Sequence, residues 1–372
     1  MNTPLNVSLP RPNLSIIEAS GIGETARRSA LERMPKWLIC IPLAVQWLWL
    51  TLRYRSATLP SAANPHITSG GLVGEGKLEY FHGMGALART TTARHCAIAT
   101  GSIPDDADLL QRMADAELTF PVIAKPDLGL CGYGVRRINH LAELRAYLAA
   151  FPRDETVVLQ EYLPQQGEAG IFYARPPQSD QAQLIGLALR YFPRVTGDGQ
   201  RTLAQLIAAD PRACRGLNTP QHACELDPAW IPPPGQMVRL STIGSTRVGG
   251  LYRDGAALIT PQLTTAIDVI ARDMPAFYCG RFDVRFDSVH ALSAGHGFTI
   301  MEINGAGSEA IQAWDPDTGL IAGFNMIFAK QRVLFEIGHA NRRRGVKPIG
   351  LLALTKLYFK QQRLIARYPP SN

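Results

Sequence analysis

Two short runs, GRFDVRFDS at 280–288 and TIMEIN at 299–304, constrain this chain more than any other feature. In the first run Arg281 and Asp283 alternate with apolar residues, and in the second Glu302 and Asn304 are two positions apart. Such a period of two is typical of β-strands, in which alternate side chains share a face. If the intervening segment closes a hairpin, the polar side chains of both strands meet on one face.

That polar face has the composition of an ion site. Asp283, Glu302 and Asn304 offer oxygen atoms only, which are the ligands that a hard cation such as magnesium prefers. Arg281 would lie beside them and suits a phosphate or another oxyanion. The alternative is a pair of ordinary amphipathic strands with a solvated polar face, and these two runs alone leave it open.

A glycine-rich loop lies upstream, in FPVIAKPDLGLCGYGVRRI at 120–138. A short apolar strand leads to Lys125, the loop follows with Gly129, Gly132 and Gly134, and a second strand begins after it. Glycines let backbone N–H groups approach a phosphate closely, and a lysine adds a point charge. The loop therefore predicts a phosphate-binding element, with a flexible hairpin as the alternative.

The next strand, TVVLQEYLP, has a polar exit. It ends at Gln160, Glu161, Tyr162 and Leu163, and an exit with polar backbone and an apolar side chain can hold an adenine ring. Glu168 follows a few residues later, where it could accept ribose hydroxyl groups.

Other patterns predict the elements around these strands. Asn139 is expected to cap a helix whose apolar face carries Leu141, Leu144, Tyr147 and Leu148. Residues 260–274 are expected to form a helix behind the ion-binding strands. The run MVRLSTIGSTRVGGLY, beginning at Met237, is interpreted as a pair of strands near the nucleotide, and 210–236 as a long loop.

In this order the motifs resemble the ATP-grasp superfamily, and within it the D-alanine:D-alanine ligase-like branch, over roughly residues 90–330. The resemblance implies an α/β (α+β) ATP-grasp fold, in which two α+β subdomains grip ATP. It gives catalytic roles to Lys125, which contacts the nucleotide phosphates, and to Arg281, which steadies the reacting phosphoryl group. The other implied roles are the lid (Gly129, Gly132, Gly134), the adenine hinge and ribose acceptor (Gln160, Glu161, Tyr162, Leu163, Glu168), and the metal ligands (Asp283, Glu302, Asn304).

A further segment, VTGDGQRTLAQLI at 195–207, is similar to one in cyanophycin synthetases and related amino-acid ligases. Arg190 and Arg194 beside it are candidates for a second phosphate or substrate contact.

The resemblance implies a reaction and its cofactors. ATP and Mg²⁺ (or Mn²⁺), with two ions, would support joining a small carboxylate to an amine through an acyl phosphate. Two alternatives remain: an ATP-binding regulatory protein at the membrane without ligase turnover, and an ATP-grasp phosphotransferase. The acceptor does not carry over, because the chain reads GAGSEAIQAWDP after Asn304, where D-alanine:D-alanine ligases have a Ser-Pro-Gly-type loop with which only Ser308 compares.

The chain is long enough for several lobes, with 372 residues of which 46% are hydrophobic. We expect an N-terminal region at 1–85, a small ATP-grasp subdomain at 86–165, a large one with the metal site at 166–345, and a basic amphipathic tail at 346–372. The ligase family's amino-terminal substrate domain is not recognisable in the first of these.

Two apolar, aromatic and basic segments suggest peripheral contact with the cytoplasmic face of a membrane, through 37–55 and 347–368. The uncharged core of the first segment, 37–52, is shorter than the ~20 residues that usually span a bilayer. Packing of this helix within the fold or against a second subunit, as in a homodimer, is the alternative, and both stay open. Because ATP and magnesium are cytosolic, the catalytic lobes are expected in the cytoplasm.

Several other functions are disfavoured. GLVGEGKL at 71–78 has the spacing of a Walker A loop, but Leu78 replaces its Ser or Thr. It is therefore interpreted as a connector, in which Glu75 or Lys77 has a small chance of facing the active site. The six cysteines form no CxxC pair, which fits a reduced cytosolic protein. The net charge of +7 comes without a nucleic-acid recognition motif, so no nucleic acid is expected as a partner.

Overall fold

The computed structural model describes residues 28–219 and 222–372. Within these ranges three antiparallel sheets are covered by helices, which confirms the mixed α and β class predicted from the sequence. The strands are β1 (His95–Ala99), β2 (Val122–Pro126), β3 (Arg136–Ile138), β4 (Thr156–Glu161), β5 (Gly167–Ala174), β6 (Gln183–Tyr191), β7 (Arg194–Thr196), β8 (Met237–Arg239), β9 (Leu251–Asp254), β10 (Cys279–Phe286) and β11 (Phe298–Asn304).

The α-helices of the described residues are α1 (Ala30–Arg33), α2 (Lys36–Tyr54), α3 (Lys77–His82), α4 (Ala86–Thr90), α5 (Asp106–Asp115), α6 (Leu141–Ala150), α7 (Leu203–Ala209), α8 (Cys214–Leu217), α9 (Pro261–Arg272), α10 (Val289–Ser293), α11 (Leu320–Arg343) and α12 (Leu351–Ile365). Short 3₁₀ helices lie at Leu59–Ala62, Thr68–Gly71, Thr246–Val248, Ala256–Leu258 and Ile311–Trp314.

The smaller sheet has the order β1-β4-β2-β3 and presents Lys125 at the end of β2. Helices α5 and α6 cover it with apolar side chains, and the end of α12 adds Leu364 and Ile365 to the same core. The predicted cap of α6 is wrong by one residue, because His140 accepts the hydrogen bond from the backbone N–H of Glu143. Asn139 instead donates its backbone N–H to the Glu143 carboxylate.

The larger sheet has the order β11-β10-β5-β6-β9 and brings the two ion-binding runs together. Strands β10 and β11 pair as a hairpin closed by α10, with Asp283 opposite Glu302 and Arg281 opposite Asn304. Phe282 and the other apolar residues of β10 face a core that α9 completes. The hairpin expected from the period of two is therefore present, and α9 lies within the predicted helix 260–274.

The prediction that residues 237–252 form a pair of strands is wrong. Strand β8 pairs with β7 in a two-stranded sheet, whereas β9 adds to the edge of β6 in the large sheet. The intervening residues 240–250 form an irregular segment with one 3₁₀ turn. This segment lies across one side of the cleft between the two larger sheets.

Helix α2 lies along α11. Ile39 and Leu50 are buried in the contacts with α11 and its neighbours, and Trp47 meets Phe335 edge to face at 5.0 Å. Among the described residues α2 is the one helix that is long and apolar enough, by length and composition, to cross a membrane.

Candidate active site

A cleft of about 270 Å³ lies between the smaller and larger sheets. Strands β2 and β4 contribute one wall, and β10 and β11 contribute the other. The connector 72–77, the glycine-rich loop and residues 242–245 surround its mouth. The sheets touch here, because Lys125 of β2 donates to the carbonyl oxygen of Met301 in β11 at 3.0 Å.

Lys125 is held inside this cleft rather than at its rim. Its ammonium group also donates to Oε1 of Gln160 at 2.7 Å, and only 5% of the residue is exposed. Gln160 in turn donates to the Met301 carbonyl oxygen at 3.1 Å. Burial disfavours the charged form and lowers the pKa of Lys125 to about 7, although Glu302 opposes the change.

Asp283 lies at the centre of a cluster of cations. Arg281 grips its carboxylate with two bonds, Nε to Oδ1 at 2.6 Å and Nη2 to Oδ2 at 2.9 Å. Arg190 approaches Oδ2 at 3.3 Å, and Asn304 donates Nδ2 to the same atom at 3.2 Å. The Asp283 carboxylate, in a residue that is only 1% exposed, is therefore surrounded by two guanidinium groups and one amide donor.

Glu302 pairs with a residue from the connector. Its Oε1 lies 3.3 Å from Nζ of Lys77. Burial alone would raise the pKa of Glu302, but the charges of Lys77 and Lys125 outweigh burial and lower it to about 2. The carboxylates of Asp283 and Glu302 and the amide of Asn304 share one end of the cleft, and their oxygen atoms form a donor set that fits a hard cation.

The glycine-rich loop is folded down beside this site. Cys131, Gly132 and Gly134 have positive φ angles of 47°, 74° and 72°. Arg247 donates to the carbonyl oxygens of Cys131 and Gly132, each at 3.3 Å, and stacks on Tyr133 at 4.1 Å. A Cβ atom added at Gly132 would lie 2.6 Å from Cγ2 of Ile243, so only glycine permits this approach.

The expected adenine end is formed by the exit of β4. Residues 160–163 line the cleft, although the Glu161 carboxylate turns to Arg94. Glu168 is buried and bound by two arginines, Arg190 at 3.0 Å and Arg285 at 3.3 Å. Each oxygen of the Glu168 carboxylate thus contacts one guanidinium group, and a carboxylate has about four acceptor sites, so it could also accept ribose hydroxyl groups.

Two of the residues predicted from the sequence do not line the cleft. Gly134 lies at the base of the loop, where its carbonyl oxygen accepts the Tyr147 hydroxyl at 2.7 Å. Arg194 is on β7, paired with Arg239 of β8 and outside the cleft. The remaining predicted residues, from Lys125 to Asn304, line one continuous cavity.

The structure also adds residues to the site. Lys77 and Glu75 come from the connector that the sequence assigned only a small chance of facing the site, and both line the cleft. Burial raises the pKa of Glu75 to about 7, and its Oε2 is buried without a hydrogen-bond partner among the described residues. The connector is held there by a close backbone contact, Gly307 N–H to the Gly71 carbonyl oxygen at 2.6 Å.

No protein-family model and no curated protein sequence matches this chain. Solved structures do match, and one is a bifunctional glutathione synthetase from Pasteurella multocida, at 16% identity over 68% of this chain and 35% of that chain, with a TM-score of 0.34. The chain thus spans about a third of the length of that protein. A D-cycloserine synthetase is 14% identical over 72% of this chain and 70% of its own, with a TM-score of 0.38. A D-alanine–D-alanine ligase from Bacillus anthracis is 15% identical over 74% and 70%, with a TM-score of 0.41.

Proposed function

We propose that this chain is an ATP-grasp ligase that joins a carboxylate to an amine through an acyl phosphate, with ATP and magnesium. One observation carries the proposal. Lys125 on one sheet faces the Arg281, Asp283, Glu302 and Asn304 group on the other, across a cleft in which the sheets touch through the 3.0 Å bond to Met301. Opposed phosphate-binding and ion-binding walls are what in-line phosphoryl transfer needs.

We propose the following roles for the side chains. Lys125, Arg190 and Arg281 would bind and orient the phosphates and balance their charge, while the lid loop would exclude water. Asp283, Glu302 and Asn304 would hold the magnesium ions, which neutralise phosphate charge when bound. The hinge at 160–163 would receive the adenine ring and Glu168 the ribose.

The reaction itself asks for little covalent work from the protein. A carboxylate oxygen of the substrate attacks the γ-phosphorus, and the bond to the β-γ bridging oxygen breaks to give ADP and an acyl phosphate. The amine nitrogen then attacks the acyl carbon, phosphate leaves, and the nitrogen loses a proton to give the amide. Charge neutralisation and positioning supply most of the rate enhancement in such sites, so a site built from Lys125, Arg281, Asp283, Glu302 and Asn304 needs no nucleophilic side chain.

The test is magnesium-dependent release of ADP and phosphate by the purified protein, challenged with pooled amino acids, dipeptides and small carboxylic acids. We expect one pool to stimulate release and mass spectrometry to find an amide in it. A phosphorylated product would replace the ligase with a phosphotransferase. Tight ATP binding without stimulation by any pool would favour a regulatory ATP-binding protein, for which the apolar surface of α2 is the supporting observation.

A further inference from the structure

Helix α2 exposes a continuous apolar face. Seven large apolar residues have between 37% and 70% of their surface exposed, namely Trp37, Leu38, Ile41, Val45, Leu48, Trp49 and Leu52. At about 100° per residue they fall within an arc of about 120°. A cluster of this size on a surface is typical of an interaction site rather than of scattered exposed side chains.

This face contains no charge, and the Gln46 amide on the opposite side of α2 turns inward. Between Trp37 and Leu52 the sequence has no acidic or basic residue. The amide of Gln46 donates to the carbonyl oxygen of Phe328 at 2.8 Å, so it is satisfied within the protein. The exposed face can therefore enter an apolar medium without leaving a polar side chain unpaired.

The opposite face of α2 fixes how the helix meets such a medium. Ile39 and Leu50 are buried against α11 and its neighbours, and Gln46 is bonded to α11. Helix α11 carries Lys330, Arg332 and Glu336, which could not accompany α2 into a bilayer at low cost. The helix is therefore arranged to lie in the plane of an interface, with one face immersed.

A second apolar face belongs to α12. Leu351, Leu352, Tyr358 and Phe359 are between 49% and 81% exposed. They also fall within an arc of about 120°, and Lys356, Lys360 and Arg363 follow directly beside that arc at about 100° per residue. An apolar stripe bordered by lysine and arginine is the pattern of interfacial helices.

The two faces are joined at one point of the molecule. Ile349, just before α12, accepts a hydrogen bond from Thr58 at 2.7 Å and donates to Ser61 at 2.8 Å. Both partners follow the end of α2. The first turn of α12 thus starts near the C-terminal end of α2.

The charge of these regions is one-sided. Residues 33–74 and 337–372 together hold twelve of the 38 lysines and arginines and none of the 31 aspartates and glutamates. Acidic residues consequently outnumber basic ones in the rest of the chain. Basic residues beside an immersed apolar face add attraction to an anionic lipid surface.

We propose that the exposed faces of α2 and α12 bind the surface of an anionic lipid bilayer, with α2 lying in the membrane plane and α12 supplying basic contacts. A second copy of the chain would place two basic surfaces against each other, which charge repulsion opposes. Two exposed tryptophans, Trp37 and Trp49, also suit the boundary between headgroups and acyl chains. This inference is independent of the reaction that the cleft performs.

The test is binding of the full chain to vesicles of phosphatidylcholine alone and of phosphatidylcholine with 30% phosphatidylglycerol, by flotation, at low and high salt. We expect binding to the anionic vesicles that weakens at high salt, and about tenfold less binding for Leu48→Asp and for Leu352→Asp. Val269→Asp is the matched control, since Val269 is 47% exposed on α9, away from both faces, and should bind like the parent. Circular dichroism melts of each variant verify folding.

The depth of the tryptophan side chains in the bilayer distinguishes a helix α2 that lies in the membrane plane from one that spans the membrane. Lipids brominated near the headgroup should quench tryptophan fluorescence more than lipids brominated at the chain ends, and Trp37→Phe with Trp49→Phe should remove most of the quenching. Equal quenching from chain ends would overturn the in-plane arrangement. Absence of binding to anionic vesicles, or a lipid-free dimer that is dissociated by Leu48→Asp, would overturn the membrane assignment and make the face a contact between copies.

Discussion

Lys77 and Glu302 form an ion pair across the cleft, with Nζ of the lysine 3.3 Å from Oε1 of the glutamate. The lysine side chain is 9% exposed, and the pair links the first residue of α3 to a predicted metal ligand on β11. An ammonium group at this position supplies the positive charge that a metal ion would otherwise bring to Glu302.

Replacement of this lysine should therefore change the response to magnesium. In Lys77→Met the Glu302 carboxylate loses its nearest cation, so Mg²⁺ without nucleotide should stabilise the variant more than the parent. The measurement is the shift of the unfolding temperature with and without Mg²⁺, and Lys356→Met on exposed α12 serves as the control. Equal shifts in parent and Lys77→Met would show that the lysine and the metal do not share Glu302.

The proposed metal ligands should control the magnesium dependence of ATP binding. Asp283→Asn and Glu302→Gln keep side-chain size but remove a negative charge, so we expect the gain in ATP affinity on adding Mg²⁺ to fall by about tenfold or more, and stimulated turnover to be lost. Titration calorimetry with and without Mg²⁺ measures the first effect. Asp287 is an exposed carboxylate just after β10, and the control variant Asp287→Asn should behave as the parent. An unchanged magnesium effect in Asp283→Asn and Glu302→Gln would exclude Asp283 and Glu302 from the metal site.

The hairpin and its polar face could be predicted from the sequence because they rest on local rules. The period of two in β10 and β11 predicts which side chains share a face, whereas the pairing of Asp283 with Glu302 also depends on a register shift between Asp283 and Val284. The glycine loop after Lys125 was recognisable for the same reason, since its spacing is local. The roles of these residues remain predictions.

The site residues that were assigned only a small chance from the sequence, Lys77 and Glu75, depend on contacts between distant segments. Lys77 reaches Glu302 because Gly71 packs against Gly305. A Cβ atom added at Gly71 would lie 2.5 Å from the Cα atom of Gly305. No periodicity in 71–78 encodes that approach, and the glycines there read equally well as an ordinary turn. Likewise β8 and β9 were assigned to each other because they are neighbours in sequence, whereas each pairs with an earlier strand.

Lys125 should make ATP binding depend on pH. Burial lowers its pKa to about 7 in the free protein, while bound phosphates favour the charged ammonium form. Above pH 7 binding must therefore take up a proton, and affinity should fall as pH rises from about 7 towards 9. Calorimetry in buffers of different ionisation enthalpy measures how many protons are taken up when ATP binds. The Lys125→Met variant should bind ATP more weakly and should lose the proton uptake that is due to Lys125. Unchanged proton uptake in that variant would assign the proton to another group.

Gly132 should tolerate no side chain in the loop position seen here. Its φ of +74° strains any other residue, and Cβ would also press on Ile243 at 2.6 Å. Gly235→Ala separates the two effects, because Gly235 has a similar φ of +78° but open space around it. Both variants should lose about 1 kcal/mol of stability in urea unfolding, and only Gly132→Ala should also alter ATP affinity. Equal ATP affinity in both would mean that the contact with Ile243 plays no part in nucleotide binding.

Glu75 should make the stability of the fold itself depend on pH. Its pKa is about 7 in the folded chain because burial disfavours the carboxylate, against 4.5 for the free side chain. Between these values the folded state binds more protons than the unfolded state, so the free energy of unfolding falls as pH rises from about 4.5 to 7 and this contribution is constant above. The full loss is about 3 kcal/mol. Glu75→Gln should remove this pH-dependent loss. In urea unfolding, the free energy of unfolding of the variant should therefore rise relative to that of the parent between pH 4.5 and 8. Glu309→Gln changes an exposed glutamate of the same cleft and should leave the pH profile of the parent unaltered; parallel profiles for parent and Glu75→Gln would mean that the carboxyl group is hydrated in the folded protein.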